Sequence, residues 1–348
     1  MKNFLMMLGM LVACTVTVQA EEAMAVPSAS RTIVEENASE PIEEPKPMEN
    51  VPIALVAPSG SAIPVERYEK GVVALEGRGF KVTSYYDPTL HHERFAAADA
   101  IRLRQMEQAY QDPEAKIVMA VRGGYGASRL LKDLDFQKMA SSGKVFVGYS
   151  DMTVIQMGLL KYGAVSFQGP MVFSDYGLDN PSRYTIEHFE EVLTHPTTTL
   201  RWVGTDNPDV DVTGTFWGGN LTMMSHLVGT KWMPDIEGGI LFLEDVSEHP
   251  YRVERMLIQL DEAGILRKQK ALVLGRFTDY RLYDEDNGYS FDTMLAWIRK
   301  HLVIPVVTGL PFGHTKEKAT LPVGAKARLK VHSGSVKLTL SGYPTVHP

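Results

Sequence analysis

The chain has 348 residues, 44% of them hydrophobic and 22% charged, with a formal net charge of −7. That length and apolar content can bury a large core and divide into two domains. The single cysteine, Cys14, lies ahead of the folded part, which excludes disulfides and a cysteine nucleophile from it. No basic block and no aromatic–basic interleaving points to nucleic acid.

Residues 1–20 read as an export signal: Lys2 gives a positive start, Phe4 to Val18 an apolar run, and Val18-Gln19-Ala20 a cleavage-like site before Glu21. The run is short for a bilayer span, so export is expected over a retained anchor. Leu11-Val12-Ala13-Cys14 also resembles a lipobox, so membrane attachment would follow only from lipidation at Cys14; cleavage after Ala20 is the favoured reading. Residues 21–50 hold eight Glu, two basic residues, four Pro and no aromatic residue. Such a segment buries too little apolar surface to order itself and reads as a flexible spacer. It carries −6 of the charge and leaves −2 over residues 51–348, so the acidity says little about a substrate.

A first domain is expected over 51–172. Pro52 to Ala57 is an apolar strand, Val65 to Leu75 has helical spacing, and Phe80 to Tyr85 alternates as a strand. Phe95 to Tyr110 reads as an alanine-rich helix. Ile117 to Val121 is a buried strand followed by Arg122-Gly123-Gly124-Tyr125-Gly126 and a helix through Leu134. Then Val145 to Val147 forms a strand, Gly148-Tyr149-Ser150-Asp151 a corner, and Met152 to Leu160 a helix, with one more strand near Ala164 to Phe167. Alternating strands and helices imply an α/β fold with a parallel sheet covered on both faces. Its sites lie at the carboxyl ends of strands, where both the glycine loop and Ser150 fall.

A strand-to-helix corner is the geometry that holds a serine hydroxyl clear of its own backbone. The spelling departs from G-x-S-x-G, and by itself Ser150 reads as a helix N-cap before it reads as a nucleophile. The glycine loop is an imperfect dinucleotide fingerprint, since the third glycine and the distal acid are missing. Beside a nucleophile, its amides could instead form part of an oxyanion hole.

Residues 173–205 read as a connecting segment that turns helical after Pro181, and 206–345 as a second domain. Asp211 to Phe216 is a strand running into Trp217-Gly218-Gly219-Asn220, with a helix through Leu227. Gly239 to Leu243 is a strand delivering Glu244 and Asp245. Val253, Met256, Leu257 and Leu260 mark a helix face. Lys270 to Arg276 is another strand, and Ala325 to Leu340 a hairpin around Ser333-Gly334. A serine hydrolase needs a base and an orienting carboxylate. His91, His92, His188 and His195 sit in polar contexts where exposure is expected. His249 competes, but before Pro250 at a helix start solvent is expected. His314 follows a glycine in a short loop backed by an apolar strand, and Glu244 ends a buried strand, where an unpaired charge is costly.

These pieces assemble into a family pattern: APSG (57–60), RGGYGASRLL (122–131), GYSDMT (148–153), GP (169–170), GGNL (218–221), GT (229–230), LFLEDVSEHPYRVERML (241–257), LGRF (274–277), GLPFGH (309–314) and LPVG (321–324). The sequence resembles the LD-carboxypeptidases, serine peptidases of the S66 type that include muramoyltetrapeptide carboxypeptidases and microcin C self-immunity peptidases. The resemblance covers nearly all of residues 51–345. It implies a flavodoxin-like first domain, a smaller β-rich second domain, and a site in the cleft between them. It further implies a triad of Ser150 as nucleophile, Glu244 as orienting acid and His314 as base, with an oxyanion hole from the amides of Asp151 and Gly124. No metal or cofactor is implied. The implied reaction is removal of the terminal D-alanine from peptidoglycan tetrapeptides.

Gln168 stands where many members have histidine and is expected to alter the cleft rim. The export signal would put the chain in the periplasm, facing the wall or its fragments, as a monomer or homodimer. Arg122, which adjoins the glycine loop at the carboxyl end of its strand, is the candidate for holding the substrate's terminal carboxylate, with Gly123 and Tyr125 as further substrate-binding candidates. The competing view pairs Arg122 with a carboxylate such as Asp151 to hold the loop. Two other functions stay open: a microcin-immunity-like peptidase acting on acyl-adenylate analogues, and a muropeptide-binding protein without turnover.

Overall fold

The computed structural model describes residues 48–204 and 206–346; the signal-like run, Cys14 and nearly all of the acidic spacer lie outside the described residues. The first half runs β1 (Val51–Val56), α1 (Val65–Gly77), β2 (Phe80–Ser84), α2 (Asp99–Gln111), β3 (Ile117–Ala120), α3 (Phe136–Ser141), β4 (Val145–Val147), α4 (Thr153–Lys161) and β5 (Ser166–Gln168). β3, β4 and β5 are buried at every position, and the continuous apolar runs of β3 and β4 are those of a sheet covered on both faces. The parallel order β2-β1-β3-β4-β5 is that of flavodoxin-like doubly wound sheets, which reverse direction between β1 and β3. The loops after β1, β3 and β4 therefore open on one edge. They carry Ser59-Gly60, the glycine loop and Ser150.

Two expected helices are shorter than their patterns. Phe95 pairs with His92 in an isolated bridge, so α2 begins only at Asp99, whose charge suits a helix N-terminus. After the glycine loop the helix shrinks to one 3₁₀ turn, Ala127–Arg129. There Ala127 N–H donates to Asp151, and Gly126 C=O accepts from Arg102 as well as from Arg129 N–H, so tertiary bonds pin the turn in addition to its local ones.

The second half comprises α5 (Arg183–Thr194), β6 (Thr197–Val203), β7 (Val210–Asn220), α6 (Leu221–Leu227), β8 (Ile240–Val246), α7 (Pro250–Glu262), β9 (Ala271–Thr278), α8 (Phe291–His301), β10 (Val306–Thr308), β11 (Leu321–Val323), β12 (Lys326–His332) and β13 (Ser335–Ser341). Seven of its strands form a mixed sheet, β10-β9-β8-β7-β12-β13-β6, parallel from β10 to β7 and antiparallel beyond. β12 and β13 alternate exposed and buried residues, the period-two pattern of a sheet with one wet face. β11 instead crosses back and pairs antiparallel with β5, setting Leu321 opposite Gln168. The second half thus closes the edge of the first sheet.

Candidate active site

Ser150 follows β4 by three residues and has φ of +64°, a left-handed conformation that costs a non-glycine residue about 1–3 kcal/mol. The chain then makes one 3₁₀ turn, Ser150–Met152, that continues into α4, so Ser150 stands at the mouth of a helix. The glycine loop lies directly against it. A Cβ on Gly123 would come within 2.9 Å of Ser150 Cβ and 3.0 Å of Ser150 Oγ, so only glycine fits there. The next residue, Gly124, has φ of +101°. Gly123 C=O accepts from Gly60 N–H at 3.1 Å, which fixes the shared peptide plane and turns the Gly124 N–H away from Gly60.

Asp151 points its side chain inward. Its Oδ2 accepts from Ser59 Oγ at 2.5 Å and from Ala127 N–H at 2.8 Å, tying together the loops after β1, β3 and β4. Burial pushes this carboxyl above its ordinary value, against the pull of those donors.

Glu244 lies in β8, fully buried. Its Oε2 accepts from His314 Nδ1–H at 2.7 Å, and its Oε1 from Asn220 Nδ2 at 3.3 Å. Asp245 is buried beside it, accepting from Asn220 Nδ2 at 2.8 Å and from the Thr222 N–H and hydroxyl at 2.8 and 2.9 Å. Adjacent strand residues ordinarily face opposite ways; here the pairing of β8 with β9 shifts register between Leu243 and Asp245, and both carboxylates stay inside. Burial and the Glu244 charge push Asp245 up to about 6.

His314 enters on the loop after β10. Its ring packs edge-on against Tyr149, centroids 5.1 Å apart, which places it beside the residue preceding Ser150. Burial alone pulls the imidazole pKa down; the hydrogen bond and charge of Glu244 outweigh it, so the net shift is upward. With Nδ1–H committed to Glu244, Nε2 is left as the acceptor of the neutral ring.

Gln168 is not at a rim. It is fully buried in β5 and donates to Thr153 Oγ1 at 3.0 Å and Gln156 Oε1 at 2.6 Å. Thr153 Oγ1 in turn accepts from Asn220 N–H at 3.1 Å, so a polar chain runs from β5 through α4 to the end of β7 and on to Glu244. Asn220 received no role from the sequence, although an Asn directly before a helix is an N-cap signal, and its side chain does accept from Met223 N–H.

His249 and His188 are also buried rather than solvated. His249 caps α7 and bonds Asp286 at 2.9 Å. His188 accepts from Thr320 N–H, and burial pulls its pKa down to about 4. Arg122 makes no hydrogen bond or ion pair with Asp151. Its Nη1 donates to Ser61 C=O at 2.8 Å, and its guanidinium lies against the Phe173 ring. Tyr125 sits 43% exposed beside the loop, tilted against Phe95.

Residues 53–169 match the LD-carboxypeptidase N-terminal domain and residues 213–329 the LD-carboxypeptidase C-terminal domain. A muramoyltetrapeptide carboxypeptidase from Oxalobacter formigenes superposes with a TM-score of 0.82 at 58% identity, over 85% of this chain and 100% of that one. A putative carboxypeptidase from Synechocystis sp. is 34% identical over 291 residues, 82% of this chain and 93% of the relative. The microcin C7 self-immunity protein of Escherichia coli is 27% identical over 310 residues, 78% and 88% of the two chains. Fold and site together thus define a two-sheet α/β peptidase with carboxypeptidase relatives. The chain belongs to the LD-carboxypeptidase family.

Proposed function

We propose that the enzyme removes the terminal D-alanine from murein tetrapeptides by serine acyl transfer. The observation that carries this reading is the 2.7 Å bond from His314 to the fully buried Glu244, with the imidazole packed on Tyr149 next to the strained Ser150. In this mechanism His314 Nε2 takes the Ser150 proton as Oγ attacks the carbonyl of the penultimate, L-configured residue. The amides of Gly124 and Asp151 stabilise the tetrahedral oxyanion. His314 then returns the proton to the departing amine of D-alanine, and water, activated by the same imidazole, releases the acyl group from Ser150. Glu244 holds the ring and the imidazolium throughout. Gly123 and Tyr125 line the approach to the scissile bond.

The similarity to the muramoyltetrapeptide carboxypeptidase supports the murein substrate, and the signal-like N-terminus supports work in the periplasm. The purified enzyme, incubated with defined stem tetrapeptides and pentapeptides, should lose one alanine mass from the tetrapeptide alone. Intact tetrapeptide after prolonged incubation would falsify the substrate reading, and cleavage of an aminoacyl sulfamoyl nucleotide in its place would favour the microcin-immunity activity. Cell fractionation tests location: activity confined to the cytoplasm defeats the export proposal.

A further inference from the structure

Around the glycine loop, three arginines gather with no carboxylate in ion-pair contact among the described residues, although the charge of Arg67 is felt by Asp179. The guanidiniums of Arg67 and Arg122 lie 4.4 and 5.4 Å from the centre of the same Phe173 ring, and that of Arg94 lies 5.8 Å from the centre of the Tyr125 ring. None of the three makes an ion pair among the described residues, whereas the neighbouring Arg102 and Arg129 share Asp99. Arg67 comes from α1, and its Nε donates to Phe173 C=O at 2.8 Å. Phe173 N–H donates to Val121 C=O at 2.8 Å, anchoring the ring beside Arg122. One donor of each guanidinium is thereby spent on backbone, leaving both Nη atoms of Arg67 and Nη2 of Arg122 without an acceptor among the described residues.

Half-buried like charges so placed repel each other and lose hydration. Burial lowers the pKa of Arg122, and the charge of Arg67 lowers it further. A bound anion reverses both costs. The position also suits the chemistry, because Arg122 Nη2 lies 4.0 Å from where a Cβ of Gly124 would stand, and the adjoining Gly123 touches Ser150. A peptide's terminal carboxylate follows its last amide bond by about one residue, ~3.8 Å along the chain.

We propose that Arg67 and Arg122, spaced by Phe173, form a two-guanidinium clamp for the C-terminal carboxylate of the substrate, with Arg94 at its outer edge. The assignment rests on the carboxypeptidase reading above and supplies what an exopeptidase needs: an internal peptide segment brings no charge to the clamp, while a free carboxylate engages two forks. The class of ligand is a peptide ending in a free α-carboxylate.

The test uses the full chain carrying Ser150→Ala, titrated calorimetrically with a D-alanine-terminated stem tetrapeptide as free acid and as C-terminal amide. The acid should bind more tightly than the amide. Arg67→Met or Arg122→Met should each cut acid affinity about ten- to a hundred-fold, the usual range for a charge-assisted bond, and leave the amide nearly unchanged. Arg67→Lys, which preserves charge and most of the packing on Phe173, should recover part of the loss. Circular dichroism spectra matching the parent identify variants that fold, and should one methionine variant fail, the lysine variant and the other arginine carry the comparison. Hydrolysis by the unsubstituted enzyme is scored separately. Acid preference that survives both methionine substitutions, or no binding of the acid at all, overturns the clamp whether or not the enzyme turns over. Acid preference lost in both variants, without hydrolysis by the unsubstituted enzyme, keeps the clamp and overturns the peptidase reading.

Discussion

On the first-sheet side of the site, position is set by backbone: Ser150 sits at φ of +64°, pressed against a glycine that has no room for a Cβ. On the second-sheet side, position is set by side chains: Glu244 and Asp245 share Asn220, and His314 hangs from Glu244. A backbone-held group tolerates loss of its own side chain but not a new atom beside it. A group held by buried hydrogen bonds behaves the opposite way, because each lost partner strands another polar atom.

The largest effect tests the nucleophile. Ser150→Ala should lower D-alanine release on the order of a million-fold, as loss of a triad member does, while the melting temperature stays near that of the parent. Near-normal turnover in this variant would remove serine catalysis. Ser150→Gly sharpens the contrast, since it too is inactive yet relieves the left-handed strain, and stability should rise by up to about 1 kcal/mol. A fall in stability would mean that the hydroxyl, not the backbone, holds the corner.

Two histidines separate catalysis from architecture. His314→Ala should approach the Ser150→Ala loss, because members of such a unit are not additive. His249→Ala should leave turnover near normal but cost about 1 kcal/mol, the usual worth of a helix cap, since His249 caps α7 and pairs with Asp286. Reversed outcomes would refute the assignment of the base while leaving the family intact.

A further variant adds an atom on the backbone-held side. Gly123→Ala places a methyl 2.9 Å from Ser150 Cβ, and the corner must shift to admit it. Misplacing a reacting atom by about 1 Å costs about a hundred-fold in rate, and kcat should fall more than KM rises. Unchanged kcat would show that the loop can yield.

The contrast also explains what the sequence revealed. The doubly wound sheet was legible because β1, β3 and β4 are unbroken apolar runs punctuated by glycine; Ser150 and Glu244 follow such runs closely, while His314 lies on the loop after β10. Three things were hidden. The helix expected through Leu134 is a single 3₁₀ turn pinned by Asp151 and Arg102, contacts that no local pattern encodes. His188 is expected in solvent from its polar neighbours, His249 from its place before Pro250 at a helix start, and Gln168 at the cleft rim from the family pattern, yet each is buried with a partner more than thirty residues away or on another element. Arg67 carried no signal at all. It lies 55 residues before Arg122 in the sequence and meets it only through Phe173.

The smallest effect is one of pH, and it probes the side-chain-held half directly. The groups facing the His314 ring are Glu244, Asp245, Lys318 and Tyr149. Burial lowers the imidazole pKa and Lys318 lowers it too; Glu244, with help from Asp245, raises it by more, so the net lies above the ordinary 6.5. A general base must be neutral, so the acid limb of the kcat/KM profile should fall above that value. Glu244→Gln removes the chief raising influence and leaves burial, which moves the limb below the wild-type position while kcat drops. Stability must follow the same sign. A folded-state pKa above the unfolded one stabilises the protein fully below about 6.5 and loses that contribution as pH rises through the folded value. Denaturant midpoints for the wild type should therefore decline across that interval, and the decline should shrink in Glu244→Gln. An acid limb that stays in place after the substitution would show that Glu244 orients the ring without setting its charge.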